Sequence, residues 1–545
     1  MPRDPDLPEQ PGVFYVTTPI YYVNDKPHLG HVYTTLVADV VARFHRLKGE
    51  DVFFLTGVDE HAAKVSDKAA ENGLSPQAWA DQNAAAFKET FEKLRLTFDD
   101  FVRTSSERHR ERVTAYVAEL IESGDVYEGR YEGWYDAGQE EYVPENKAEA
   151  QGFKSEVNGK PLVKKSETNH FFRLSAYRDR VLGHIAANPG FVQPAARRNE
   201  VVNRIKEAQD VPISRTGAAL GADGKRWGIP VPGDEEQTIY VWIDALFNYL
   251  TYTDDGDRRA YWQSGATHYI AKDILWFHAA IWPALLLALK DRPGYGWVNL
   301  PEAVFTHSYW VSESGEKMSK SLGNFLDPEA IDRAVNAYGI DALRYFLATR
   351  GPLGTTDASF SAELFDTVYH ADLANTFGNS ASRVTNMLVR YCGGAVPASA
   401  DREGGLAEEA EKAVAAATAA YAAGDLEGAA EAALTLVRRV DAYVEATQPF
   451  KMVKDPEKEP EVGPVLVRCL EALRVASVLL WPITPHKVEA FWARIGCGGY
   501  AEALADRGRG DLERWAAWGG LAPQTPVEKG DPLFPRVDSI AGPAK

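Results

Sequence analysis

Cysteine is nearly missing from this chain: Cys392, Cys469 and Cys497 are the only three in 545 residues. They are odd in number and widely spaced, so neither a disulfide framework nor a four-cysteine metal site can be built from them. Long apolar runs are missing too. The longest, near Ile281 to Leu289, falls well short of the roughly 20 residues that a bilayer-spanning helix needs. The opening segment MPRDPDLPEQPGV holds no apolar stretch of the kind that directs export. A cytoplasmic location is expected, with neither a membrane nor DNA as partner. Positive charge is the third scarcity. Lys and Arg number 59 against 78 Asp and Glu, a formal net charge of −19, which on average disfavours a polyanionic partner. Net charge does not constrain local patches. Arg197, Arg198, Arg204 and Lys206 make one such patch, which reads either as an RNA-facing edge or, more commonly for such runs, as a solvated helix face.

What is present is an ordinary globular balance, 45% hydrophobic and 25% charged, in a chain too long for one core. The apolar run Val13 to Ile20 reads as a buried strand, Gly30 to Lys48 as a helix and Val52 to Thr56 as a second strand. Right-handed crossover of this βαβ unit sets the two strands parallel, with ligand-handling loops at their carboxyl edge. Strand-like pieces such as Tyr131 to Tyr135 then break the pattern, and parallel α/β patterning returns at Thr238 to Leu250 and His268 to Leu289. The class expected is α/β: a split Rossmann-like parallel sheet in residues 10–125 and 232–300, with an inserted connective domain at 126–231. Residues 301–360 hold the Lys317 to Ser321 loop and a stem-contact region, and 361–545, Ala-rich from Glu408 to Val444, form a C-terminal α-helical bundle.

Pro27 places His28-Leu29-Gly30-His31 at the start of the first helix. Unpaired N–H groups and the positive dipole end collect there, favouring an anion. Residues three apart share a helix face, and Gly30 removes a side chain that would block a ligand. Alone, the pair also reads as a metal site or as two histidines capping a helix. A second motif, Lys317-Met318-Ser319-Lys320-Ser321, lies in a Gly-flanked loop. Two ammonium groups on such a loop can close over phosphates and neutralise a leaving pyrophosphate.

In this order and separation the two motifs resemble the signature of class I aminoacyl-tRNA synthetases. Further segments resemble the methionyl-tRNA synthetase family: Thr17 to Tyr22, Thr56 to His61, Ile213 to Thr216, Trp227 to Pro230, Tyr240 to Ala245, and Lys272 to Ile274 with Phe277-His278. The likeness runs from about Phe14 to Asp538. It implies ATP with Mg²⁺, L-methionine and tRNA(Met), the initiator included, as substrates and partners. It also implies ATP contacts from His28, Gly30, His31, Lys317, Ser319 and Lys320, the two histidines and two lysines being the catalytic set. Ile20, Tyr22, Leu246, Ile274 and His278 are implied to shape the side-chain site, with Asp59 holding the ammonium. Trp242 and Tyr249 add faces suited to a thioether. Asn379 and Arg383, four apart on a helix, with Phe450 where the family usually has Trp, are implied to read the anticodon. Ala62 and Ala271 stand where the family commonly has Gly, and Leu246 where some members have Pro. The segments Trp134 to Gln139 and Ser155 to Gly159 lack the cysteines of the family's zinc knuckle, so an insertion without metal is expected. A monomer is expected, because the chain stops before the appended module by which some relatives dimerise. A metabolic nucleotidyltransferase would leave everything after Phe360 unexplained, and a noncatalytic tRNA-binding paralogue would not need both motifs.

Overall fold

The computed structural model describes residues 12–136, 141–143, 145–156, 159–220, 224, 226–311, 328–398 and 400–537. The expected βαβ unit is present as β1 (Val13–Tyr22), α1 (Leu29–Leu47) and β2 (Asp51–Asp59), followed at the sheet edge by β3 (Asp100–Arg103). Six parallel strands form the central sheet, in the order β3, β2, β1, Ala266–Ala271, Ala303–His307 and Val192–Gln193. The α/β class with a split parallel sheet is therefore as expected. Chain order reverses between β1 and Ala266–Ala271, and a crevice opens at the carboxyl ends of strands that flank such a reversal.

Burial explains the strands. Every residue of β2 after Asp51 is buried, as a parallel strand covered by helices on both faces requires. Pro19 interrupts β1 because it has no N–H for the ladder; the register with β2 shifts between Thr17 and Ile20. Thr18 Oγ1 lies 2.7 Å from Thr56 Oγ1 across this irregularity. The last residues of β1 are thereby re-aimed, and Ile20, Tyr21 and Tyr22 all line a cavity at the carboxyl edge. Beside it, Gly57 lets β2 and β3 approach: a Cβ there would lie 2.4 Å from the Val102 carbonyl oxygen.

Within 126–231 the chain builds an antiparallel sheet from Glu141–Val143, Val126–Asp136, Val163–Phe172 and Val211–Pro212, in that spatial order. A small core of Val143, Ala148 and Leu162, packed against Trp134, supports its outer end. Asp136 and Ser155, at the family's knuckle positions, are buried; Ala137 to Gln139 and Val157 and Asn158 lie outside the described residues. Among the described residues, no group of three or more His, Cys, Asp or Glu is placed to hold a metal ion. Val192–Gln193, from this same stretch, returns to the edge of the central sheet.

After Ala362 the chain is helical, with Asn379–Tyr391, Leu406–Ala422, Leu426–Thr447 and Val462–Leu480 packed together. One buried carboxylate joins this region to α1. Asp39 Oδ2 accepts from Arg43 Nε at 2.9 Å and Arg344 Nη2 at 2.7 Å, while Oδ1 accepts from the Thr97 amide at 2.7 Å and its hydroxyl at 2.6 Å. Arg344, fully buried on helix Ile340–Arg350, also donates to the Ile483 and Pro482 carbonyls at 3.0 and 3.1 Å. Burial alone would raise the Asp39 pKa, but the two guanidinium groups and Thr97 hold it well below the usual carboxylate range.

Removing one partner of a buried ion pair costs about 3–5 kcal/mol, so Asp39→Ala is expected to unfold at clearly lower urea than wild type at pH 7. Because the Asp39 pKa is depressed in the folded state, its stabilisation is complete above the ordinary carboxylate pKa of about 3.9 and is lost as pH falls below it. The gap between wild type and variant should hold down to about pH 4.5 and narrow only in stronger acid. Equal midpoints at pH 7 would mean that the hub carries no net stability.

Candidate active site

The crevice at the carboxyl edge is a cavity of about 530 Å³, and the first turn of α1 forms one wall. His28 is the N-cap of that helix: its Nδ1 accepts from the Gly30 amide at 3.0 Å, and His31 Nδ1 accepts from the His28 amide at 3.2 Å. A neutral imidazole that accepts at Nδ1 carries its proton on Nε2, so each ring has its N–H at Nε2. The rings stack at 3.6 Å between centroids. Burial, reinforced by His28, pushes the His31 pKa well below its ordinary value. The helix start therefore presents neutral donors and a positive dipole end, which suits an anionic ligand. A Cβ on Gly30 would sit 2.9 Å from His28 Cε1, so the glycine lets the His28 ring fold back over the helix as well as lining the cavity. Capping and ligand contact, which the bare motif left as alternatives, fall on the same two side chains.

Ile20, Tyr22, Asp59, Trp242 and Ile274 line the same cavity. The rings of Tyr22 and Trp242 meet edge to face at 6.2 Å, and Trp242 stacks on Phe277 at 4.1 Å. Asp59, almost fully buried, accepts from the His61 amide at 3.3 Å. Leu246, Tyr249 and His278 do not line the cavity; they are buried behind it. His278 Nδ1 lies 3.0 Å from the Ile274 carbonyl oxygen, to which it must donate, so Nε2 accepts the Tyr249 hydroxyl at 2.7 Å. Burial pushes His278 down to about 4 and the Tyr249 phenol up. Two residues beyond Trp242 on the same helix, Asp244 is buried between two histidines. Asp244 Oδ2 meets His61 Nδ1 at 2.6 Å and Oδ1 meets His109 Nε2 at 2.7 Å. Burial would raise the Asp244 pKa, but these histidines bring it down to about 2.

Sequence reasoning missed the wall that follows strand Ala303–His307. His307, Ser308, Tyr309 and Trp310 all line the cavity. The His307 ring joins Thr34 Oγ1 at 2.7 Å to the Ser308 carbonyl at 2.8 Å. Lys272 Nζ lies 4.4 Å from the Tyr309 ring centre and pairs with Asp357 Oδ1 at 2.8 Å. The available signal was topological: a strand neighbouring the chain reversal delivers its carboxyl end to the crevice. Lys317, Ser319 and Lys320 lie outside the described residues. Asn379, Arg383 and Phe450 belong to the helical region and not to this cavity. Asn379 is exposed, Arg383 Nη2 donates to Glu445 Oε1 at 2.6 Å, and Phe450 is half-buried.

A family model described as tRNA synthetases class I (M) matches residues 14–385. The chain is 40% identical to the methionine–tRNA ligase of Streptomyces coelicolor, over 96% of this chain and 97% of that protein. It is 41% identical to that of Brucella suis, over 87% and 90%. Among solved structures, Mycobacterium tuberculosis methionyl-tRNA synthetase in complex with methionyl-adenylate superposes with a TM-score of 0.85 at 34% identity, covering 96% of this chain and 100% of that one. The apo form of the same protein gives 0.79 at 30% identity, over 97% and 99%.

Four histidines in or behind this cavity, His31, His268, His278 and His307, are pushed below their ordinary pKa by burial. The unfolded chain takes up protons near pH 6.5 that the folded chain refuses, so acid favours unfolding. The urea midpoint is expected to fall between about pH 6.5 and 5, and His278→Gln to lessen that slope. A slope identical in variant and wild type would show that His278 titrates alike in both states.

Proposed function

The chain belongs to the class I methionyl-tRNA synthetase family, and on that premise we propose how its residues share the work. It is a methionine–tRNA ligase, which activates L-methionine with ATP and transfers it to tRNA. The observation that carries the division of roles is the His28–His31 cap, set at the sheet's order reversal in one cavity with Tyr22, Asp59 and Trp242.

In the first step the methionine carboxylate attacks the α-phosphorus of ATP. The bond to the leaving pyrophosphate breaks, and methionyl-adenylate forms. Mg²⁺ enters on the triphosphate as part of this substrate. Both nucleophiles come from substrates, so the protein acts by positioning and electrostatic stabilisation. The Nε2–H groups of His28 and His31, with the start of α1, hold phosphate oxygens as charge shifts, and Gly30 leaves room for the nucleotide. Lys317, Ser319 and Lys320 close over the leaving group. Asp59 takes the substrate ammonium, which would be costly to bury unpaired. Ile20, Tyr22, Trp242 and Ile274 surround the thioether chain, and Tyr249, His278 and Leu246 hold that wall from behind. In the second step the 2′-hydroxyl of the terminal adenosine attacks the acyl carbon and AMP leaves. Asn379, Arg383 and Phe450 read the anticodon of tRNA(Met), initiator tRNA included. The protein works as a monomer in the cytoplasm; among the described residues, no helix is long and apolar enough to cross a membrane.

ATP–pyrophosphate exchange measured with each of the twenty amino acids should depend strongly on methionine. Equal or greater exchange with leucine or isoleucine would overturn the amino-acid assignment and leave the reaction class standing. For the helical region, Arg383→Ala should leave exchange near wild type while sharply lowering tRNA charging, since each good base contact is worth about 1–3 kcal/mol. A parallel loss of both activities would make Arg383 a folding residue through its Glu445 contact; no loss in either would leave it as surface.

A further inference from the structure

Helix Ala195–Lys206 carries Arg197, Arg198, Arg204 and Lys206 against a single acid, Glu200. Its buried residues Val201 and Ile205 seat it, and it packs against the turn Phe277–Ile281. Arg197 and Arg204 are seven residues apart. Two helical turns bring them to the same side, about 10 Å apart along the axis. Arg204 reaches across to the lobe that holds the cavity. The Arg204 guanidinium lies over the Trp276 ring, 4.1 Å from its centre. Trp276 is half-buried, two residues beyond the cavity-lining Ile274. Arg197 is at the other end of the seam. Its guanidinium pairs with Glu200, the acid of the same helix, at 2.9 Å.

Arg204 is exposed and Trp276 keeps part of its surface in solvent, so the pair is accessible to a ligand. An aromatic plate overlaid by a guanidinium, two residues along the chain from the lining of a nucleotide-sized cavity, has the chemistry of a single-strand RNA track. Bases stack on aromatic and guanidinium planes, and phosphates meet the charge. We propose that Trp276 and Arg204 form the platform over which the unpaired 3′ strand of tRNA passes into the cavity. This rests on the tRNA-ligase reading, and it assigns to that reading a surface outside both the methionine site and the anticodon-reading residues.

The test uses the full-length protein and two RNAs: intact tRNA(Met), and the same tRNA trimmed of its unpaired 3′ nucleotides. Trp276→Ala and Arg204→Glu should weaken binding of intact tRNA about tenfold, the size of one lost base stack. They should leave binding of the trimmed tRNA and methionine-dependent pyrophosphate exchange within about twofold of wild type. Trp276→Phe, which keeps a stacking face, should recover most of the binding; this separates stacking from folding. Equal losses with intact and trimmed tRNA, or no loss with either, would overturn the platform while wild-type charging upheld the ligase reading. Absence of charging by the wild-type protein would instead overturn the reading on which the platform rests.

Discussion

The carboxylate of Asp39 ties the molecule together. Burying an ion costs several kcal/mol unless its lone pairs are met, and here two guanidinium groups, an amide and a hydroxyl meet them at 2.6 to 2.9 Å. Their sources are far apart in sequence: α1 itself, the Thr97 segment and helix Ile340–Arg350. Through Arg344 the hub extends to the carbonyls of Pro482 and Ile483, at the end of the long helix Val462–Leu480. Sliding the helical region against the sheet would strand a buried charge, so the two are held in one arrangement. The same helix carries both duties. Its first turn forms the cap of His28 and His31, and Asp39 follows some eleven residues later, about 16 Å along a rigid rod. The cap is thereby referenced to the helical region through one continuous backbone.

Neutrality is the second constraint. The cavity's histidines are kept uncharged by burial, which in isolation looks wasteful for a protein that must handle a triphosphate. A neutral N–H fixed by its neighbours costs no reorganisation when charge develops nearby, and it does not pre-bind a counterion that a substrate would have to displace. In each of His28 and His31 the tautomer is set by a backbone amide at Nδ1. His278 is set in the opposite sense by the Ile274 carbonyl, so that it accepts from Tyr249. The two pairs use one ring chemistry for two ends: donors toward an anion, and a satisfied polar contact behind an apolar wall.

Where burial follows the chain, the sequence was legible. β1, α1 and β2 were found within a few residues because a covered parallel strand reads as an unbroken apolar run. Where topology sets the contact, it was not. Val192–Gln193 has two residues and no pattern, yet it pairs at the sheet edge. The Ala-rich stretch from Glu408 to Val444 reads as helical and is so, but no helix boundary is read within it; Gly424, with φ of 74°, separates Leu406–Ala422 from Leu426–Thr447. The cavity shows the same division. Ile20, Tyr22, Asp59, Trp242 and Ile274 sit in segments whose likeness to a family is local. His307 to Trp310 reach the cavity because their strand is third from β2 across the sheet, which no local spacing encodes. Tyr249 and His278 are expected from the sequence at the pocket itself but do not line the cavity, because only three-dimensional packing decides whether a side chain faces a ligand or supports the residue that does.

Net charge posed the main objection to an RNA partner, and geometry answers it through screening. At physiological ionic strength exposed charges are largely screened beyond about 8 Å, so a total of −19 says little about a particular seam. Many of the protein's cations are also locally cancelled. Arg402 pairs with Glu408 and Glu411, Arg438 with Glu431, and Arg468 with Asp401 and Glu403. Helix Ala195–Lys206 carries four cations and one acid, Glu200, which pairs with Arg197. An acidic average surface disfavours unspecific contact with phosphates, so a locally basic helix such as Ala195–Lys206 suits the platform proposed above.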